Sequence, residues 1–372
     1  MSGLIVHEWL AKRGGSENVV VEMTRAFPDA RVACLWNDGH EPLSPEKVDE
    51  TWLARTPLRR SKIAAMPFML GTWRRLAAAD STDWMLVSSH LFAHHARLRG
   101  SSKLEQPPKF VYAHTPARYI WTPDLDARGS SLPARAIALG IRPLDRARAR
   151  EAVEVAANSE FVRARVEECW RRDARVIYPP VDIVGIADDK PAERLSALEQ
   201  DILAELPEVF ILGASRFVPY KRLDAVMELG ELLRLPVVVA GAGPDEKNLR
   251  DRASELKVPV HFVIAPSTDL LRSLYRAASL YVFPPVEDFG IMPVEALASG
   301  CRTIVNSVGG AAESATRSQG GAAADFRDLN SVGEIAAHLI STSPRPLPEE
   351  LNAFSSATFQ RNIRDWVGVS SE

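Results

Sequence analysis

The stretch LYVFPPVEDFGIMPVEALASGCRTIVN, residues 280–306, decides the fold. Two short apolar runs flank an amphipathic segment, which predicts a buried strand at 280–283, a helix at 293–299 and a second buried strand at 303–306. Pro293 suits the first turn of that helix, where its missing N–H leaves no bond unmade. A helix between two wholly apolar strands is typical of a parallel sheet covered on both faces.

The same alternation of strand and helix extends along the chain in both directions. Further strands are predicted at 4–7, 31–35, 84–88, 110–113, 153–157, 176–178, 210–214, 236–240 and 259–264. Residues 188–205 are polar and charged, so we interpret them as a connection between two domains. The pattern predicts two doubly wound, Rossmann-like α/β domains, 1–187 and 205–345, followed by an amphipathic helix at about 350–372 that carries Phe354, Phe359, Ile363 and Trp366. A cleft between the domains is the expected ligand site.

The composition excludes several classes of protein. The 372 residues are 46% hydrophobic and 25% charged with a net charge of −3, unlike a disordered or fibrous chain. No apolar run reaches the length of a membrane span, and Glu8 interrupts the N-terminus before the core of a signal peptide could form. The three cysteines, Cys34, Cys169 and Cys301, are too far apart for a disulfide framework or a paired metal site. We therefore expect a soluble cytoplasmic protein.

The charge is unevenly distributed. Residues 1–182 hold 27 Lys and Arg against 22 Asp and Glu, whereas residues 183–372 carry a net charge of −8. Between Arg55 and Arg75 there are six cations, no acid, and interleaved apolar residues. Such a stretch is either a solvated basic face or a surface for an anionic membrane or substrate. Nucleic acid is a poor candidate partner, because the whole chain is mildly acidic and lacks a stacking motif.

Familiar catalytic motifs are missing from the sequence. The glycine-rich stretch at 241–246 lacks the third glycine of a dinucleotide fingerprint, and no P-loop, nucleophile elbow or HExxH segment is present. His90 and His94 are spaced for a metal pair, with His95 adjacent, but no third ligand lies nearby in the sequence. We expect these histidines at the surface or at a domain interface, and no metal site.

An anion site is predicted where the helix after residue 290 begins. The N–H groups of Gly290 and Ile291 lie at the positive end of a helix dipole, where a diphosphate is stabilised. Glu287 and Glu295 flank that site and would repel phosphate, so the hydroxyls of a sugar and a ribose are their natural partners. The alternative is an ordinary helix start with a solvent-facing glutamate.

Two cations at the end of another strand favour the first of these interpretations. Arg216 and Lys221 follow the strand predicted at 210–214, so they lie at its carboxyl end, on the same sheet edge as Glu287 and Gly290. An arginine grips phosphate oxygens bidentately and a lysine acts as a point charge. Together they could neutralise a leaving diphosphate without a metal.

These segments together resemble the retaining GT-B glycosyltransferases of family 4. The resemblance is carried by EDFGIMPVEALASG at 287–300, with its E-x7-E element, and by SRFVPYKR at 215–222. Further matches are GGSENVV at 14–20, YAHTPARYIW at 112–121, AANSEFV at 156–162, YPPVD at 178–182, AGAGP at 240–244 and VGGAAE at 308–313. The HTPxRYxW element within 112–121 is similar to that of a subgroup that uses GDP-mannose or related GDP-sugars.

The resemblance implies a GT-B fold, with the C-terminal helix returning to the N-terminal domain, and a role for each matching residue. The implied catalytic residues are His114, Arg216, Lys221 and Glu287. The implied donor-binding residues are Gly14, Gly15, Arg216, Lys221, Ile264 near the base, Phe289, Gly290, Ile291 and, on the ribose, Glu295. Arg118 is the implied acceptor contact.

The resulting hypothesis is transfer of a hexose to an acceptor hydroxyl with retention of configuration, without metal or cofactor. The donor is a nucleotide-diphosphate sugar, with GDP-mannose favoured, and the acceptor is a glycan or a lipid-linked molecule at the inner membrane surface. One alternative is a family 4 enzyme that uses a UDP-sugar and a soluble acceptor such as a natural product. Two further alternatives are a sugar-nucleotide epimerase on the same fold and a non-catalytic partner subunit.

Overall fold

The computed structural model describes residues 2–12, 14–39, 42–77, 82–100, 106–122 and 132–368. The chain divides into two compact units, one of residues 1–180 and 356–372 and the other of residues 181–355. The division thus falls earlier than the predicted bounds of 187 and 205. Val181 already belongs to the second unit, where its N–H donates to the carbonyl of Phe354 at 2.8 Å.

Within the described residues, every strand belongs to one of two sheets, and helices connect the strands. The strands are β1 Gly3–His7, β2 Arg31–Cys34, β3 Val48–Glu50, β4 Trp84–Ser89, β5 Lys109–Ala113, β6 Glu154–Ala157, β7 Arg175–Val176, β8 Ile211–Ala214, β9 Val237–Gly241, β10 Val260–Ile264, β11 Leu280–Phe283, β12 Thr303–Asn306 and β13 Gly321–Ala324. The helices are α1 Gly15–Ala26, α2 Lys62–Trp73, α3 Arg118–Trp121, α4 Leu132–Ala149, α5 Glu160–Trp170, α6 Ile183–Asp188, α7 Ala197–Ala204, α8 Leu223–Leu233, α9 Glu246–Ala253, α10 Thr268–Ala277, α11 Ile291–Ala298, α12 Ala311–Ala315, α13 Leu329–Thr342 and α14 Ser356–Val367.

Both sheets are parallel and doubly wound. The first has the order β3-β2-β1-β4-β5-β6-β7 and the second β10-β9-β8-β11-β12-β13. The direction of winding therefore reverses between β1 and β4 in one unit and between β8 and β11 in the other. Open α/β sheets bind ligands at the carboxyl ends of the strands beside such a reversal. Each unit thus has one favoured position for a functional site.

The predicted strands are present with small shifts, and the differences have local causes. Two strands were missed: β3 has the polar sequence Val-Asp-Glu at the edge of its sheet, and β13 is Gly-Ala-Ala-Ala, with little β propensity. The segment interpreted as a connection contains α7, which begins with a capping box between Ser196 and Glu199. Helix α11 begins two residues before Pro293, which lies in its first turn.

The last helix completes the core of the first unit, as the resemblance implied. On α14, Phe359, Ile363, Trp366 and Val367 are buried. The ring of Phe359 packs edge-on against Tyr112 at 5.8 Å, and Trp366 Nε1 donates to Glu154 at 2.9 Å. Phe354 was predicted on this helix, but it precedes it and lies in the second unit, where its ring contacts Phe289 at 5.6 Å.

A buried carboxylate joins four segments of the first unit. Asp145 on α4 is fully buried, and its Oδ2 accepts hydrogen bonds from Trp121 Nε1 at 2.8 Å and Trp170 Nε1 at 2.9 Å. Its Oδ1 lies 3.1 Å from the Nε2 atoms of both His94 and His95. We predicted these two histidines at the surface or at a domain interface, but both are buried and have Asp145 of the same unit as their partner. The sequence could not reveal Asp145 as their partner, because it lies 50 residues after His95.

In this cluster, Asp145 is an ionised carboxylate whose hydrogen-bonding capacity is satisfied by its neighbours. Burial, followed by the neighbouring imidazole of His94, lowers the pKa of His95 to about 4, so His95 is neutral at neutral pH. Nearby imidazoles hold the pKa of Asp145 far below its usual range against the effect of burial, so it stays ionised. His94 Nδ1 contacts Ser89 Oγ at 3.1 Å. Two imidazoles and two indoles thus surround one carboxylate, and these contacts give it a structural role.

Candidate active site

The predicted cations of the second unit lie at the carboxyl end of β8. Arg216 is exposed, and its Nη2 donates to the hydroxyl of Tyr220 at 2.8 Å. Lys221 ends a short 3-10 turn and is buried, with its ammonium 5.1 Å from the ring centre of Tyr220 and 5.8 Å from that of Phe283. Aromatic faces stabilise a cation in a partly dry site. One cation is therefore held in place, while the other extends into solvent.

Lys221 forms an ion pair with Glu287, which follows β11. The two side chains are 11% and 19% exposed, so the pair is largely shielded from water. Because β8 and β11 are neighbours at the reversal of the sheet, residues that are 66 positions apart in the sequence meet there. The structure thus brings together the phosphate cation and the sugar-binding acid that the sequence predicts.

The loop after β11 is shaped by glycines on both of its sides. Gly290 precedes α11 in the left-handed region with a φ of 90°, which a side chain rarely adopts. The facing glycine, Gly310, donates its N–H to the carbonyl of Glu287 at 2.9 Å, and a Cβ there would lie 2.1 Å from the carbonyl oxygen of Asp288. The second glycine of VGGAAE therefore allows the backbone to approach the loop after β11 closely. The sequence alone did not explain why a glycine stands there.

The remaining donor residues lie around this edge of the second sheet. Phe289 is buried, whereas Ile264 at the end of β10 is 42% exposed. Glu295 is half-buried on α11, and burial raises the pKa of its carboxyl to about 7 although Arg272 opposes the shift. A carboxyl with this pKa changes its charge near neutral pH.

In the first unit, His114 follows β5 and lies among other polar side chains. Its Nε2 is 2.8 Å from Ser88 Oγ, and the ring centres of His7 and His90 are 6.4 and 6.3 Å away. Burial, followed by the two neighbouring imidazoles, holds the pKa of His114 well below its usual value. His114 is therefore a neutral imidazole at physiological pH.

Glu8 supports the loop that carries His90. Its buried Oε1 accepts hydrogen bonds from the N–H groups of His90, Leu91 and Ala93 at 3.1, 2.7 and 3.0 Å. The other oxygen lies 3.3 Å from His90 Nδ1. Neither Glu8 nor His7 was predicted as a site residue. The signal that could have identified them is that both are polar residues at the end of a wholly apolar strand, beside a reversal of the sheet.

The glycine-rich loop before α1 is in the place expected, with an acid at its centre. Gly14 is extended, and a Cβ there would lie 2.0 Å from the carboxylate of Glu17. That carboxylate accepts hydrogen bonds from Ala11 N and Ser16 Oγ, and its pKa is lowered, chiefly by His7, against the opposing effect of burial. A negative charge in the first turn suits ligand hydroxyls better than phosphate. Gly15 begins the helix.

The HTPxRYxW element divides into two parts. Arg118 begins α3 and is half-buried, so it remains a candidate ligand contact. Trp121 points inward, with Arg142 5.3 Å from its ring centre and its Nε1 bonded to Asp145. The tryptophan of this element therefore has a structural role.

Two family models match almost the whole chain. The model described as Glycosyltransferase Family 4 matches residues 13–184, and the model described as Glycosyl transferases group 1 matches residues 197–358. With two parallel doubly wound sheets and these matches, the chain belongs to the GT-B glycosyltransferases of family 4.

Individual relatives and solved structures agree with this assignment. A GDP-mannose-dependent alpha-(1-6)-phosphatidylinositol monomannoside mannosyltransferase of Mycobacterium tuberculosis is 30% identical over 199 residues, 49% of this chain and 51% of that protein. A D-inositol 3-phosphate glycosyltransferase of Mycolicibacterium gilvum is 33% identical over 36% of this chain and 32% of its own. The chain thus spans about half the length, or less, of these relatives. The crystal structure of Anabaena HepE with UDP and glucose superposes with a TM-score of 0.67 at 17% identity, covering 99% of each chain.

Proposed function

We propose that this protein is a retaining hexosyltransferase that transfers mannose from GDP-mannose to a hydroxyl of a glycan or a lipid-linked acceptor. The observation that carries the proposal is the convergence of Arg216, Lys221 and Glu287 at the reversal of the second sheet. Two cations suit a diphosphate, and a carboxylate beside them suits sugar hydroxyls. The mannosyltransferase relatives favour mannose and guanine.

The proposed reaction depends on charge stabilisation. The bond from the anomeric carbon to the diphosphate oxygen breaks, and the acceptor oxygen forms its bond on the same face of the sugar. The proton of the acceptor hydroxyl passes to the leaving diphosphate. Arg216, Lys221 and the N–H groups of Gly290 and Ile291 stabilise the charge that develops on that diphosphate. No metal is needed in this scheme.

The other predicted residues orient the sugar and the nucleoside. Glu287 accepts hydrogen bonds from hydroxyls of the transferred sugar, and the neutral His114 donates one. Glu295 accepts from the ribose hydroxyls, and Ile264 lies against the base. Because Lys221 pairs with Glu287, each of the two side chains holds the other in position for a donor.

Donor binding is expected to depend on pH through Glu295. With a pKa of about 7, this carboxyl is largely protonated below neutrality and must lose its proton to accept from a ribose. We expect the Kd of a nucleotide-diphosphate sugar to rise about tenfold between pH 8 and pH 6. Calorimetric titration at several pH values measures this change. The Glu295→Gln variant should bind more weakly at pH 8 and lack the pH dependence; a dependence that persists in it contradicts the assignment.

The donor itself is tested by thermal shift, because a ligand of the folded state raises Tm. GDP-mannose, GDP-fucose, UDP-glucose, UDP-N-acetylglucosamine and the free nucleotides form the panel. A rise with the GDP-sugars alone supports the proposal. A rise with the UDP-sugars alone favours the alternative of a UDP-sugar donor, the nucleotide present in the HepE structures. Transfer is then assayed with the donor that binds. An epimerised donor would indicate the epimerase alternative, and binding without turnover the non-catalytic one.

We further propose that helix α2 meets an anionic membrane surface. Its inner face buries Ala65, Met69 and Trp73, yet Ile63 and Phe68 on its other side are 65% and 47% exposed. A helix that is apolar on both faces needs a cover on its outer one. None of the described helices is both long and apolar enough to cross a bilayer.

Exposed cations flank helix α2 in the sequence. Trp52 is 52% exposed and packs edge-on against Phe68 at 6.2 Å. Arg55, Arg60 and Arg75 are exposed nearby in the sequence, whereas the other two arginines of the stretch, Arg59 and Arg74, pair with Asp38 and Glu151. Apolar side chains beside basic ones match the interface of a bilayer that contains anionic lipid.

Replacing both Ile63 and Phe68 with aspartate should weaken vesicle binding by tenfold or more, since each buried side chain of this size contributes about 1.5–3 kcal/mol. Flotation with phosphatidylcholine–phosphatidylglycerol vesicles at low salt measures the effect. Leu198→Asp on α7, where the leucine is 70% exposed, is the control and should bind normally. Failure of the unaltered protein to float would refute the membrane proposal and favour a soluble acceptor.

A further inference from the structure

One hydroxyl lies between two imidazoles in the first unit. Ser88 Oγ is 3.1 Å from His7 Nδ1 and 2.8 Å from His114 Nε2. His7 ends β1, Ser88 lies opposite it on β4, and His114 follows the next strand, β5. Ser88 and His7 are fully buried, and His114 is half-buried. The three side chains therefore form a row across three neighbouring strands, from the interior outwards.

The contacts decide which atoms carry hydrogen. His7 Nδ1 also lies 3.2 Å from the carbonyl oxygen of Ser88. A carbonyl oxygen only accepts, so His7 Nδ1 carries the hydrogen and directs it towards Ser88. The serine hydroxyl then accepts from His7, and among the described residues the acceptor within reach of its own hydrogen is His114 Nε2. A neutral imidazole has a single N–H, which in His114 is consequently at Nδ1.

The surroundings keep both rings neutral. Burial, followed by the neighbouring His90, lowers the pKa of His7 to about 4, although the carboxylates of Glu8 and Glu17 oppose the shift. The pKa of His114 is also lowered, by burial, His90 and His7. Tyr112, whose ring packs edge-on against His114 at 5.2 Å, brings no charge, because burial raises its pKa well above the usual value.

We infer that Ser88 and His7 are positioning residues that hold His114 in the Nδ1–H tautomer, so that His114 offers the substrate a hydrogen-bond donor and not an acceptor. The inference rests on the proposed function, in which His114 contacts the transferred sugar. Within the part of the chain that the structure describes, the side chain of His114 forms a hydrogen bond to protein through Nε2 alone. Its Nδ1–H is left for a substrate oxygen, which must accept.

The tautomer can be observed without any substrate. Nitrogen-15 spectra of the full chain with labelled histidine distinguish a protonated Nδ1 from a protonated Nε2, and the His114→Gln spectrum assigns the resonances. We expect Nδ1–H in the unaltered protein at neutral pH and a larger share of Nε2–H in Ser88→Ala. An Nε2–H tautomer in the unaltered protein overturns the inference, whether or not the protein is a transferase.

A double-mutant cycle then tests whether Ser88 acts on turnover through His114. Ser88→Ala should lower kcat by about tenfold with little change in the KM of the donor, the scale of one misdirected hydrogen bond. In a His114→Ala background it should have no further effect, because Ser88 acts through His114. Ser89→Ala, which removes the next buried hydroxyl on β4, is the control for packing and should not shift the His114 resonances.

The outcomes separate the two hypotheses. An equal loss from Ser88→Ala with and without His114 shows a structural role and overturns the inference. Full activity in His114→Ala instead removes His114 from the proposed mechanism, even where the spectra show Nδ1–H. If the Tm of Ser88→Ala falls below the assay temperature, the kinetic comparison is lost. The tautomer of the unaltered protein is then the deciding measurement.

Discussion

Replacing Lys221 with alanine is expected to lower kcat by two orders of magnitude or more. In the proposed reaction the ammonium lies beside the leaving diphosphate, and its attraction grows as the bond breaks. Preorganised groups of this kind contribute about 2.7–4 kcal/mol to transition-state stabilisation. Lys221 is preorganised because it is buried near two aromatic rings and paired with Glu287. Initial rates with the donor identified by thermal shift measure the effect.

The matched control is the neighbouring cation. Arg222 is exposed and pairs with Asp224 at 3.2 Å, so Arg222→Ala removes a positive charge from the same loop without touching the proposed site. We expect it to keep nearly full activity. The role of Lys221 is wrong if its alanine variant, shown to be folded by its Tm, turns over within threefold of the unaltered protein.

Asp145→Asn is expected to lower the free energy of unfolding of the first unit by about 3 kcal/mol or more. The amide keeps the size of the side chain but loses the charge. Its NH2 group faces N–H groups whose hydrogen bonds the carboxylate had accepted. Two indoles and His95 donate to Asp145, so several buried donors lose a partner at once.

Tryptophan fluorescence is a selective probe for this measurement. All eight tryptophans of the chain belong to the first unit, so urea unfolding followed by their emission reports on that unit alone. Asp173→Asn is the control, since Asp173 is 86% exposed and pairs with Arg163 at the surface. Such pairs contribute less than about 1 kcal/mol. Similar losses from the two variants would contradict the account of the Asp145 cluster.

Much of the fold could be predicted from the sequence because buried parallel strands appear in it as short apolar runs. Strands β11 and β12 were located without error from apolar runs rich in valine, isoleucine and leucine. The same rule fails where a strand has no such residues. The Gly-Ala-Ala-Ala of β13 is a strand only because β12 supplies its hydrogen-bonding partner.

The candidate site was predictable to the extent that chain order decides position. Residues directly after a parallel strand share one sheet edge, which is sufficient to place Arg216 and Glu287 on the same side. The contacts of His7 with Ser88 depend instead on the register of two strands whose residues are 81 positions apart. No local pattern specifies that register, so the row from His7 to His114 emerged only from the structure.

The position of α14 has a consequence for how the protein is made. The ribosome synthesises residues 181–355, the entire second unit, before it synthesises the helix that packs on Tyr112 and Glu22 of the first unit. During translation, the apolar face of the first unit that α14 covers therefore stays exposed until α14 is made, although this unit emerges first. Nascent chains of this protein should engage chaperones at their N-terminal unit until the last helix arrives.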